Sequence, residues 1–215
     1  MLEVIRASSR SPSLALSRSL SLPQIGEDDG RRALLVDGVV QSVAVEAGRQ
    51  VDGYWAALLP SVHPRRALVL GLGGGTVVHL LHRRFGPTAV VGVEADAAVL
   101  ALARAELGLE VAGLEVVRQD ALAYVADCRE RFDFICVDLF RGARFERGIL
   151  ARPFLRRLKA LATPGAEIVL NLFQDRRTDA YVQRIGRVLA VRSTERIGKN
   201  VVVRAGIRGP GRSER

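Results

Sequence analysis

The chain has 215 residues, enough for one domain with a small appendage around a core of its own. Nearly half of them are hydrophobic, which excludes a disordered tail, and no apolar run approaches the roughly 20 residues of a membrane helix. The net charge of +9 rests on arginine, Lys159 and Lys199 being the only lysines, and its scattered pairs (31, 65, 83, 156 and 176) describe a solvated surface better than a nucleic-acid groove.

Residues 1–13 read as a flexible N-terminus. The stretch "RASSRSPSLALSRSLSLP" has the Ser- and Arg-rich, acid-poor composition of a transit peptide. Its leucines 14, 16, 20 and 22 nevertheless keep one parity, and that alternation favours an edge strand over 14–22. "GEDDG" then predicts a turn. Asp37-Gly38, between two aliphatic runs, predicts a hairpin whose turn needs positive φ at both positions. Residues 14–46 are thus expected to form a three-stranded antiparallel meander. Asp52 is placed to cap a short helix through Leu59, ended by His63-Pro64.

Residues 47–205 alternate strand and helix. Strands are predicted at 67–70, 89–93, 114–118, 132–138 and 166–170, and helices at 76–85, 96–107, 121–130, 150–162 and 178–190. This is the pattern of an α/β, Rossmann-like doubly wound fold with a mainly parallel sheet. "STERI" and "NVVVRA" around Gly198 predict a C-terminal β-hairpin at one edge, and 206–215 a flexible tail. Cys136 lies in the apolar run "FDFICVDLF", so with Cys128 as its only companion no disulfide framework is expected, and the expected compartment is a reducing cytoplasm.

In such a sheet ligands sit beyond the carboxyl ends of the strands. After the first parallel strand stands Gly71-Leu72-Gly73-Gly74-Gly75, a G-x-G-x-G turn that lets backbone approach a ligand and opens onto helix N–H groups. The second strand ends at Glu94, a carboxylate placed to accept hydrogen bonds from ribose hydroxyls. The third ends at Asp120, either an ordinary helix cap or an acceptor for an adenine amino group, with the Ala121 N–H facing the ring. The fourth ends at Asp138, an acid closing an apolar run. Three acids and no lysine after the glycines suit a pyrophosphate poorly and a neutral adenosine carrying a cationic sulfonium well. This is the pattern of the class I S-adenosylmethionine-binding fold. His79 and His82 share a helix face without a third ligand and read as structural, so no metal is expected; His63 reads as a turn residue.

Over roughly residues 30–205 the chain resembles the polyamine aminopropyltransferase (spermidine synthase) family, which adds an N-terminal β-meander to the class I methyltransferase fold. The resemblance is carried by "LLVDGVVQS", "VDGYWAALL", "VEAD", "RQDALAY", "FDFICVDLFRGA", "ARPFLRRLKALATPGAEIVLNL" and "IGKNVVVRA", in that order. It implies that Gln41 lies beside the donor, that Tyr54 belongs to a gate segment, that Glu94 and Asp120 bind the nucleoside, and that Asp138 orients or deprotonates an acceptor amine. The implied donor is S-adenosylmethionine or its decarboxylated form, the implied acceptor a small molecule such as a polyamine, and the expected assembly a homodimer. Four departures mark the sequence. Gly74 stands where the family has an aspartate gripping the aminopropyl ammonium, and Arg141 where it has a second acid. The gate segment reads Tyr54-Trp55-Ala56 in place of Tyr-His-Glu, and "RGARFER" is basic beside the site. Aminopropyl transfer, methyl transfer to a small molecule or RNA, and non-catalytic nucleoside binding all remain open at this point.

Overall fold

The computed structural model describes residues 22–142 and 144–207. The meander is built from β1 (Gln24–Asp28), β2 (Arg31–Val36) and β3 (Val39–Val43), in that spatial order. Asp37-Gly38 turns as expected, with φ of 55° and 72°, the pair of left-handed residues a tight hairpin requires. Asp29-Gly30 does the same one strand earlier, so the first strand among the described residues is 24–28; residues 14–21 of the expected strand lie outside them. Of the expected strand only Leu22 lies within the described residues, where it is outside any strand and 76% exposed. The turn formers of "GED" are held extended by pairing: Gly26 lies opposite Ala33, and its missing side chain leaves room for Leu35.

Seven strands make the main sheet, β4 (Arg66–Leu70), β5 (Ala89–Glu94), β6 (Leu114–Arg118), β7 (Phe132–Val137), β10 (Ala162–Phe173), β11 (Ala190–Ile197) and β12 (Asn200–Gly206). Their order is β11-β12-β10-β7-β4-β5-β6, all parallel except β12, which runs antiparallel to both neighbours. The C-terminal hairpin is therefore inserted, with its last strand against β10 and β11 at the edge. Gly206, expected in the tail, closes β12.

The helices α1 (Thr76–Phe85), α2 (Ala97–Glu106), α3 (Ala121–Asp127), α4 (Arg152–Leu161) and α5 (Thr178–Gly186) link the strands. All but α1 are shorter than expected, α3 and α5 by the most at one end: α3 stops before Cys128, and α5 gives way to an edge strand that begins at Ala190. Asp52 caps nothing; the short helix is a single 3-10 turn, Ala56–Leu58, with Trp55 at its start. A small hairpin absent from the sequence reading, β8 (Phe140–Arg141) and β9 (Arg144–Phe145), follows β7 directly.

Two apolar layers cover the sheet. Phe154, Leu155, Leu158 and Leu161 of α4 join Val125 of α3 and Ile185 of α5 on one face; Val77, Val78 and Leu81 of α1 join Leu100 and Ala103 of α2 on the other. Each buried side chain of this size contributes about 1.5–3 kcal/mol relative to exposure. Strands buried on both faces read as continuous apolar runs, which is why their ends, where polarity returns, stand out.

Candidate active site

At the carboxyl crest the strand ends run β6, β5, β4, β7, three interstrand steps or about 14 Å. The glycine loop occupies the end of β4. Gly71 has φ of 85°, and a Cβ there would fall 2.1 Å from the carbonyl oxygen of Asp138, so the loop fits against β7 only without a side chain.

All five backbone N–H groups of the loop are consumed within the protein. Those of Gly71 and Leu72 donate to the Val93 carbonyl at 3.0 Å, and that of Gly75 to Leu72 at 2.9 Å. Gly73 donates to Glu94 Oε2 at 3.0 Å and Gly74 to Ser42 Oγ at 2.8 Å. Residues 71–75 thus leave no N–H of their own for a phosphate, and only the first N–H groups of α1, which begins at Thr76, lack an intrahelical acceptor at this end. Thr76 completes the clamp, its hydroxyl accepting from the Val43 N–H and donating to the Val43 carbonyl. Ser42 and Thr76 are tertiary contacts between the meander and the loop, with no signature in either local stretch.

Glu94, at the end of β5, is held at both oxygens: Oε2 by Gly73 and Oε1 by the Asp96 N–H, 3.0 Å each. Each carboxylate oxygen keeps a second lone pair, so the side chain is oriented while still able to accept from paired hydroxyls. The Gln119 N–H donates to the Glu94 carbonyl at 3.1 Å, which sets the Asp120 turn directly beside it. Asp120 caps α3, its Oδ1 accepting from Leu122 and Ala123 at 2.9 and 3.0 Å, and the cap leaves Oδ2 as a second acceptor. The Ala121 N–H, first in the helix, has no intrahelical acceptor.

Asp138 follows β7, with its own N–H donated to the Leu70 carbonyl at 2.8 Å. Burial raises its carboxyl from the ordinary value to about 6, opposed by hydrogen bonds from Asn171 and Tyr54. Tyr54 is itself pushed upward by burial and by the Asp138 charge, so its hydroxyl stays protonated and donates. Asn171, fully buried in β10, donates Nδ2 to Asp138 Oδ1 at 2.8 Å and accepts from Asn200 Nδ2 at 3.0 Å. These two amides were missed from the sequence; the signal was a lone asparagine inside the run "IVLNLF". Gln41 donates to the Gly142 carbonyl at 3.2 Å, which puts it against the hairpin following Asp138.

The segment carrying Tyr54 is latched to the sheet. Arg204 on β12 bonds the Leu59 and Ala57 carbonyls at 3.0 and 2.6 Å and pairs with Glu167, which accepts from the Ser61 N–H at 2.8 Å. At position 74 the space is closed: a Cβ would stand 2.4 Å from Leu107 Cδ1 and 2.7 Å from Ser42 Cβ. His82 meets the Thr88 carbonyl at 3.2 Å and His63 the Thr88 hydroxyl at 3.1 Å. Burial lowers His79 and keeps it neutral. No metal-ligand cluster occurs among the described residues. Hollows of about 50 and 340 Å³ lie away from the crest, at the meander and at the β6 edge respectively.

This strand order, with one reversed strand, defines a class I methyltransferase-type fold carrying an N-terminal meander. Within that class the chain belongs to the spermine/spermidine synthase domain family, which matches residues 56–183. It is 29% identical over 141 residues to the polyamine aminopropyltransferase of Chromobacterium violaceum, a match covering 64% of this chain and 54% of that one. The chain thus spans about half the length of the curated relatives it matches. A probable spermidine synthase from Corynebacterium glutamicum superposes with a TM-score of 0.71 at 18% identity, covering 87% of this chain and 77% of the other. Human methyltransferase-like protein 13, solved with SAH, superposes at 0.62 and 24% identity, covering 71% and 76%.

Proposed function

We propose that this chain is a transferase that binds an adenosyl sulfonium donor along the crest and directs an alkyl group, aminopropyl by family, to an amine acceptor. The observation that carries this reading is the glycine loop with every N–H already satisfied, flanked by Glu94, Asp120 and Asp138. A phosphate-bearing cofactor would meet three carboxylates and a loop with no N–H of its own to spare, whereas a nucleoside with a positive sulfur meets an acceptor at each of these strand ends.

The residues present fit such a donor. Glu94 takes the ribose hydroxyls with the lone pairs that Gly73 and Asp96 leave free, and Asp120 Oδ2 with the Ala121 N–H takes the adenine edge. The donor, when bound, supplies a carbon activated by a good leaving group. The protein's part is alignment and proton removal. Asp138 accepts the proton of the acceptor amine as the N–C bond forms and the C–S bond breaks, the sulfur leaving as a neutral thioether. A carboxyl at about 6 is mainly ionised at neutral pH yet basic enough to help. Tyr54 donates to the same carboxylate, while Gln41, held by the Gly142 carbonyl, borders the donor.

A second reading, methyl transfer from S-adenosylmethionine itself, is favoured by position 74, which carries no acid and has no room for one. The by-product separates the two. Incubation with each donor and a panel of small amines, read by mass spectrometry, should release methylthioadenosine for aminopropyl transfer and S-adenosylhomocysteine for methyl transfer. Nucleoside binding with neither product would leave a non-catalytic homologue and refute the proposal.

A further inference from the structure

Asn171 and Asn200 lie 29 residues apart on antiparallel neighbours, β10 and β12, yet they form one chain of amides that ends on Asp138. An ionised carboxylate accepts only, so the Asn171 group facing it must be its NH₂. That turns the Asn171 oxygen toward Asn200, which must then donate. The direction of each amide is thus set by the charge on Asp138, and Asn200 holds Asn171 against the flip that would aim an oxygen at the carboxylate. A fully buried amide with both ends engaged has no alternative partner.

We infer that Asn171, locked by Asn200, is a positioning residue that keeps Asp138 an ionised, oriented proton acceptor at the crest. Its role in turnover rests on the proposal above that Asp138 is the base. Among the described residues the other groups acting on Asp138 are few. Tyr54 donates from the latched segment, Cys136 lies two residues back on β7 as a neutral thiol raised by burial, and Arg204 on β12 acts on Cys136 while bound to Glu167. None of these replaces the Asn171 donor, because Tyr54 approaches from the meander side and Arg204 is committed.

The test is a titration of Asp138 by its side-chain ¹³C carboxyl resonance, assigned with Asp138→Asn, in wild type, Asn171→Leu and Asn200→Leu. Loss of a hydrogen bond to a charged group should raise the midpoint by about one to two pH units in Asn171→Leu. Asn200→Leu should raise it in the same direction by less, and Asn200→Gln, which keeps a donor on a longer arm, should recover part of the shift. Asn200 is partly exposed at the start of β12, so that variant carries the test should Asn171→Leu fail to fold. A midpoint unmoved by the Asn200 change overturns the inference. The acid limb of kcat/KM should follow the resonance; a resonance that moves while the rate profile stays would keep the amide chain and remove Asp138 as the base instead.

Discussion

Putting an acid at position 74 tests whether the missing aspartate is a lone vacancy or a site rebuilt around glycine. The structure answers in distances. A Cβ at 74 meets Leu107 Cδ1 at 2.4 Å and Ser42 Cβ at 2.7 Å, and Ser42 Oγ already binds the Gly74 N–H at 2.8 Å. Leu107 Cδ1 is the end of a flexible side chain and can rotate away. Ser42 Cβ sits on β3 and moves only with the meander. Overpacking of this kind costs about 1–3 kcal/mol, and in a chain of this length each kcal/mol lowers Tm by about 2–4 °C. Gly74→Ala should therefore melt roughly 2–12 °C below wild type. Gly74→Asp should fall further, because its carboxylate enters a buried space without a partner. Scanning calorimetry of the two variants measures this. Because Leu107 and residue 74 would share the space, Gly74→Ala combined with Leu107→Ala should lose less than the two single losses added together. Unchanged melting of Gly74→Ala and Gly74→Asp would refute the reasoning, and would mean that position 74 faces open space.

Gly71→Ala should be worse than either, since its Cβ meets a backbone oxygen at 2.1 Å and its φ is 85°; the expected result is a chain that expresses poorly or melts below Gly74→Ala, read by the same calorimetry. If Asp138 is the base, kcat/KM should fall as the pH drops through about 6, where the carboxyl takes up its proton, and Asp138→Asn should lose about 10²–10⁴-fold in turnover. Stability should show the opposite sense. Folding raises this carboxyl above its unfolded value, so its contribution is present below the unfolded value and lost as the pH rises through about 6. Asp138→Asn, which cannot ionise, should unfold at about 1–3 kcal/mol higher cost than wild type near pH 7.5, the difference vanishing below pH 4, as read from urea midpoints.

The parts of this molecule legible in its sequence are those set by local chemistry. Helix α1 was legible to the residue because four glycines stop the strand before it and Gly86 ends it. Glu94 and Asp138 stood out as acids closing apolar runs and Asp120 as an acid just before a helix, and the structure sets them at or just after the ends of β5, β7 and β6 in one row. What escaped depends on partners distant in sequence. Nothing in "QSVAV" says that Ser42 will consume the Gly74 N–H. Asn171 and Asn200 acquire meaning only when β12 is inserted beside β10. The strand at Gln24–Asp28 was hidden by turn-forming residues whose pairing with β2 overrides their preference, and the two-residue strands at 140–141 and 144–145 are too short for any periodicity.

The central claim is that the crest holds an adenosine-bearing sulfonium compound through Glu94. Isothermal titration of the intact chain and of Glu94→Ala with S-adenosylmethionine and with its decarboxylated form measures that claim most directly. Glu94 stands to lose two charge-assisted hydrogen bonds to the ribose, each worth about 1.5–3 kcal/mol, so the variant should bind at least a hundredfold more weakly while melting as a folded protein. No heat from wild type with either compound, or equal affinity in Glu94→Ala, would contradict the account.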